Sequence, residues 1–111
     1  MFGMNQIKKT ELNESQQKLI ELMQQINFGR ISNIPVVGGN PELTADTIIE
    51  REIKLGGQNG NRPELAKDDF TLKQEVLALI EHLTGMGDGI IRHLEIKHGL
   101  PFLIRIEERA A

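Results

Sequence analysis

The sequence has no cysteine, no tryptophan and no tyrosine, and only four phenylalanines among its 111 residues. Without cysteine there is no disulfide, thiolate nucleophile, iron–sulfur ligation or cysteine zinc site. The shortage of aromatic rings makes the core aliphatic and leaves little material for base-stacking platforms, which counts against single-stranded nucleic-acid binding. Positive charge is not in excess either: thirteen basic and sixteen acidic side chains give a net charge of -3. Such a chain repels phosphate backbones at long range and carries no polybasic membrane patch, so any polyanion site must be local. No apolar run approaches the ~20 residues of a spanning helix. The opening residues Met1 to Lys9 lack the apolar stretch of a signal peptide, and the chain reads as cytoplasmic and not membrane-bound.

What is present suffices for one domain. Hydrophobic residues make up 39% and charged residues 26%, near the globular average, and folding at this length buries roughly two-thirds of the unfolded surface. Residues 1–12 show no apolar period and read as a flexible N-terminal arm; residues 13–111 read as a single globular domain. Asn13 or Ser15 can cap a helix whose Leu19, Ile20, Leu22, Met23 and Ile26 recur at helical spacing. That helix is expected to stop at Asn27-Phe28-Gly29, with Gly29 left-handed. A β segment through Ile31, Ile34, Val36 and Val37 follows, then a turn at Gly38-Gly39-Asn40-Pro41.

Thr47 to Leu55 alternates, with Ile49, Ile53 and Leu55 opposite Glu50, Glu52 and Lys54, the pattern of a half-buried strand. Arg51 interrupts the apolar side and reads as an edge residue reaching for water. Gly56 to Pro63 is a turn-rich loop. Thr71 to Gln74 matches a capping box ahead of a second helix bearing Val76, Leu77, Leu79, Ile80 and Leu83. Two strands, Ile90 to Lys97 and Pro101 to Glu107, complete the chain.

The two halves repeat. Leu19, Ile20, Leu22, Met23 and Ile26 map onto Val76, Leu77, Leu79, Ile80 and Leu83 at an offset of 57. After an insertion of three the offset becomes 60, pairing Gly29 with Gly89, Ile31 with Ile91, Ile34 with Leu94, Val36 with Ile96, Gly39 with Gly99 and Pro41 with Pro101. The repeat units are about 13–56 and 69–108, each a helix followed by two strands. Two such units predict an α+β two-layer sandwich: a four-stranded, mostly antiparallel sheet with both helices on one face. For Leu94 and Ile96 to share a face with Phe102, Ile104 and Ile106, the last hairpin needs an odd loop, and a three-residue loop with a glycine bulge at Gly99 is expected.

Residues Leu19 to Leu43, with the junction Ile26-Asn27-Phe28-Gly29-Arg30-Ile31 and the strand-turn sequel, resemble the small bacterial YezD-like domain family of unknown function. The likeness covers about a quarter of the chain and departs from that pattern at Pro35 and in being doubled. It implies a compact αββ unit and supplies no activity or site residues.

No catalytic motif, metal-ligand spacing or cofactor fingerprint is found, and no cofactor is expected. His93 and His98 alternate to opposite strand faces and His82 lies on a helix, so a shared metal site is not expected. Asp68 and Asp69 suit the positive end of a helix dipole. The glycine-rich loop up to Arg62 lacks the ending of a phosphate-binding loop. The leading reading is a non-enzymatic protein-interaction or self-associating module, a homodimer among its forms, using the open face His93, Glu95, Lys97, Leu103 and Arg105. The alternative is a small-anion or nucleic-acid site built from Arg30, Arg51, Arg62, Arg92 and Lys97. A third reading is a hydrolase or lyase using His98 or His93 with a carboxylate.

Overall fold

The structure, a computed structural model, describes residues 12–56 and 73–110. Helix α1 (Glu14–Ile26) begins where Asn13 closes a capping box: its side chain accepts from the Gln16 N–H at 2.9 Å, and Gln16 accepts from the Asn13 N–H at 3.2 Å. The cap is worth about 1 kcal/mol. The helix ends at the first residue of the expected stop, but Asn27 and not Gly29 is the cap, with φ of 66° and its N–H donating to the Met23 carbonyl. With ψ of −56°, Asn27 is the centre of a γ-turn closed by the Phe28 N–H donating to the Ile26 carbonyl at 2.7 Å. Gly29 answers a different need, close approach: a Cβ there would overlap Glu50 O and stand 2.9 Å from Ile26 Cγ2. Helix α2 (Gln74–Met86) has Lys73 at its N-cap with no side-chain bond and stops at Gly87, φ 73°. The helix start expected at Thr71 is thus displaced to Gln74, and Thr71 itself lies outside the described residues, as do the N-terminal arm through Glu11, Gly57 to Pro63, and Asp68 and Asp69.

Strands β1 (Gly29–Val37) and β4 (Gly89–Lys97) pair antiparallel at the centre of the sheet. Ile31 faces Leu94, Ile34 faces Ile91, Gly29 faces Ile96 and Val36 faces Gly89. The inward residues Ile31, Ile34, Val36, Ile91, Leu94 and Ile96 are at most 2% exposed. A spacing of three between the first two inward residues of each strand breaks the period of two. Asn33, φ 62°, accommodates it in β1 and a bulge at Arg92 in β4. Over this sheet face lie Leu19, Ile20, Met23 and Ile26 from α1 and Val76, Leu79 and Leu83 from α2, in one cluster. The architecture is therefore the two-layer α+β form, with an antiparallel sheet beneath two helices.

The flanks differ from each other. Strand β5 (Leu100–Glu107) pairs along β4 from Lys97 back to Ile90, with two bulges in the ladder. The far edge of β1 is shared: β2 (Asn40–Pro41) pairs with Val36 and Val37, and β3 (Ile48–Arg51) with Gly29 to Ser32. Residues 42–47 leave the sheet between them, so the fourth strand position is split. The half-buried strand expected over Thr47 to Leu55 contracts to Ile48–Arg51 and is exposed throughout. It sits at the sheet margin, outside the cluster the helices cover, and Ile53 and Leu55 lie open beyond it. Arg51 is exposed at the strand's end.

The last hairpin also departs from expectation. Lys97 pairs with Leu100, so the loop is the two-residue turn His98-Gly99, with φ of 55° and 74°, the double positive φ of a type I′ turn. The bulge lies further on: Glu95 pairs with Leu103 and Ile96 with Pro101, leaving Phe102 as the extra residue. Pro101 thereby turns inward and is buried, Ile104 still meets Leu94, and Phe102 is expelled to 61% exposure instead of joining the inner face.

Each hairpin tip docks on the helix end of the other half. Gly39 N–H donates to Gly87 O at 2.7 Å, and Gly99 N–H donates to Asn27 O at 2.9 Å. Beside the first, Gly38 N–H donates to Asp88 Oδ1 at 2.7 Å. Beside the second, the His98 ring stands edge-on to Phe28 with centroids 4.8 Å apart. Among the described residues, no helix is long and apolar enough to cross a membrane.

Candidate functional site

Strand pairing decides which side chains meet on the face turned away from the helices, since directly opposed residues share a face. One row runs Glu50, Arg30, Glu95, Leu103, and the next Ile48, Ser32, His93, Arg105. Arg30 is held between two carboxylates, its Nε 3.1 Å from Glu95 Oε2 and its Nη1 4.0 Å from Glu50 Oε1. The Nε–Glu95 approach is an ion pair without hydrogen-bond alignment. Ser32 Oγ lies 3.1 Å from His93 Nδ1. Towards one end Arg92 places Nε and Nη2 both at 2.6 Å from Glu107 Oε1.

Of the expected interaction face, His93, Glu95, Leu103 and Arg105 thus lie together, while Lys97 stands at the hairpin end opposite Leu100. Its ammonium covers the Phe102 ring at 4.3 Å from the centroid. Leu103, 44% exposed, is the apolar member.

The expected anion residues divide. Arg30, Arg51 and Lys97 line one cleft of about 400 Å³, between Phe28 and Phe102. Arg92 belongs to the pair with Glu107, away from that cleft, and Arg62 lies outside the described residues. Three carboxylates, Glu50, Glu52 and Glu95, line the same cleft as its three cations, so it holds no excess charge to draw a polyanion.

The histidines do not converge. His82 is exposed on α2, His98 occupies the turn, and His93 bonds to Ser32. Among the described residues no three His, Asp or Glu side chains are grouped to hold a metal ion, and no carboxylate is hydrogen-bonded to His93 or His98. The imidazole–carboxylate pair required for the hydrolase or lyase reading is not formed by these residues. The Ser32 contact was not foreseen. Its signal lay in the antiparallel register, which sequence alone leaves open.

The remaining feature is the outer edge of β5. Among the described residues no strand pairs with it, and it carries two exposed large apolar side chains, Phe102 and Leu103. Beside it, between α2 and β5, runs a groove of about 250 Å³ walled by Ala78, Leu79, Pro101, Phe102, Leu103 and Ile104, with Glu75 and His82 at its rim. Phe102 was expected inside. Comparison of the chain with family models, with curated proteins and with solved structures gave no match.

Proposed function

We propose that this protein is a non-enzymatic interaction module that engages protein strands through the open edge of β5 and the apolar groove beside it. One observation carries the reading: an eight-residue edge strand bears exposed Phe102 and Leu103 next to a groove lined by aliphatic side chains. An unpaired edge offers a row of N–H and C=O groups to an incoming strand, and a flanking pocket selects its side chains. The polar outer face, with Arg30 held between Glu50 and Glu95, forms the rim. The test is selection from a displayed library of extended peptides. Sequences with apolar residues at alternate positions should be enriched on the native protein and lost on Phe102→Glu, a change at an exposed site that leaves the core intact. No enrichment on the native protein would refute the proposal.

The module is further read as a duplicated αββ unit of the YezD-like kind. In support, the β1–β4 register maps onto itself when the halves are exchanged: Gly29 faces Ile96 and Val36 faces Gly89, the same pair shifted by 60 and exchanged. The tip-to-helix bonds of Gly39 to Gly87 and Gly99 to Asn27 exchange in the same way. Gly29 and Gly89 also share surroundings, each against a side chain from its helix's end, Ile26 or Met86, and a carbonyl of the flanking strand, Glu50 or Glu107.

A further inference from the structure

We infer that the cleft at the Gly29 end of the sheet, between Phe28 and Phe102, binds a small zwitterion with an apolar body: a free α-amino acid with a large apolar side chain. This site goes beyond strand docking at β5, and of the residues walling the cleft and the β5 groove the two share only Phe102.

Three observations carry it. The first is the build of the cleft. Its volume of about 400 Å³ lies in the range of small-molecule sites. Both rings are held: the His98 ring stands edge-on to Phe28, and the Lys97 ammonium covers Phe102. The Phe28 carbonyl accepts the Glu52 N–H at 2.9 Å, which ties the chain beyond β3 to the same wall. The second observation is charge. Arg30 is held between Glu50 and Glu95. That leaves Arg51, Lys97 and Glu52, which form no ion pair among the described residues. Two cations suit one carboxylate, and the remaining carboxylate suits an ammonium. The balance that gives a polyanion no field to follow therefore favours a molecule carrying both charges. The third is a comparison within the molecule. A second cleft stands at Gly89, which opens β4 as Gly29 opens β1. There the residue before the glycine is Asp88, already bonded to the Gly38 N–H, and Glu107 is paired with Arg92. Arg109 is the one cation among the residues lining that cleft, and no aromatic ring is among them. Both strands begin alike, so the rings and free charges gathered at the Gly29 end are not a requirement of the fold.

The full-length chain, titrated with L-phenylalanine and followed by amide chemical shifts, should show saturable binding with a Kd of roughly 1 mM or below. The shifts should group at residues 28–30, 50–52 and 95–97. Phenylalaninamide lacks the carboxylate, N-acetylphenylalanine lacks the ammonium and glycine lacks the apolar body; each should bind roughly tenfold more weakly or worse. Arg51→Gln should weaken L-phenylalanine about fivefold without weakening the amide, and Glu52→Gln should weaken it about fivefold without weakening the N-acetyl form. Both positions are exposed, so the melting of the chain should be unchanged. The inference is overturned if L-phenylalanine fails to saturate up to roughly 20 mM, if either singly charged analogue binds as tightly as the zwitterion, or if the two variants leave discrimination between the analogues as it was. Inorganic phosphate competing for the same residues would mark a plain anion site, and shifts confined to the groove between α2 and β5 would place the amino acid elsewhere; either result also overturns it. None of these outcomes bears on strand docking, whose test rests on extended peptides and Phe102→Glu.

Discussion

Alanine at Gly29 and alanine at Gly89 are predicted to have unequal effects, although the two glycines hold equivalent places at the start of β1 and β4. At Gly29 the backbone has φ of 157°, and a Cβ would run into Glu50 O, with Ile26 Cγ2 at 2.9 Å and Arg51 Cα at 3.1 Å. The obstacle is backbone from the neighbouring strand and cannot rotate away. Holding an L-residue at such a φ costs about 1–3 kcal/mol, and pushing into a packed site costs a similar amount. The smaller unfolded-state entropy of alanine returns about 0.4–1 kcal/mol. The expected net loss is about 3 kcal/mol. At Gly89 no positive φ is required, and the first atom met is the terminal methyl of Met86, on a side chain with three rotatable bonds. Glu107 O at 3.1 Å is a tight but tolerable neighbour. The net loss there should be below about 1 kcal/mol. Urea denaturation followed by circular dichroism measures both, and the difference corresponds to roughly 8–16 °C in melting temperature for a domain of this size. Equal losses, or a larger one at Gly89, would refute the claim that a rigid carbonyl and a flexible thioether separate the two sites.

Three further substitutions test the packing, an exposed ion pair and the cap. Leu94→Ala empties a fully buried position opposite Ile31 and Ile104 and should cost about 3 kcal/mol, whereas Arg92→Ala removes an ion pair whose side chains are 47% and 56% exposed and should cost less than about 1 kcal/mol by the same denaturation assay. Asn13→Ala deletes the α1 cap together with the 2.6 Å bond from Asn13 Nδ2 to Asn40 Oδ1, and should cost about 1–2 kcal/mol with faster amide exchange confined to the first turn of α1.

Elements whose signals are local could be read before the structure. The capping residue Asn13, the aliphatic periodicity of α1 and α2, and the inward sets 31, 34, 36 and 91, 94, 96 each depend on neighbours a few positions away. The candidate face was partly legible for the same reason: alternation alone placed His93, Glu95, Leu103 and Arg105 on one side. What could not be read depends on register and on edge position. Ser32 meets His93, and Arg30 falls between Glu50 and Glu95, only because β1 takes β4 on one side and β3 on the other in a particular alignment. The alternating stretch from Thr47 to Leu55 carries a strand signal, yet nothing within it records that β1 offers only its first four residues there, Val36 and Val37 having been taken by Asn40 and Pro41. The Phe102 bulge was mislocated because an odd loop and a two-residue turn plus a bulge satisfy the same facing requirement for Ile104 and Ile106. They differ only in where the extra residue goes, and a phenylalanine in solvent is the less expected outcome on hydrophobic grounds alone.

That exposed ring carries the functional argument, because the two halves match inside and differ at the rim. Both central strands hold their inward side chains at most 2% exposed, both helices span 13 residues, and both hairpin tips bond across to the opposite helix end. If packing were the only demand, the flanking strands would be free to match as well. They do not: one margin is cut into short pieces by residues 42–47, while the other keeps eight consecutive strand residues and turns Phe102 outward. A sheet with two continuous open edges adds strands at both ends and polymerises; one with none binds nothing by strand addition. A sheet with one open edge is limited to a single strand partner. This asymmetry, imposed on a core that is otherwise alike in its two halves, is what makes strand docking at β5 a better account of the surface than chemistry at the scattered histidines or charge attraction in the balanced cleft of Arg30, Arg51 and Lys97.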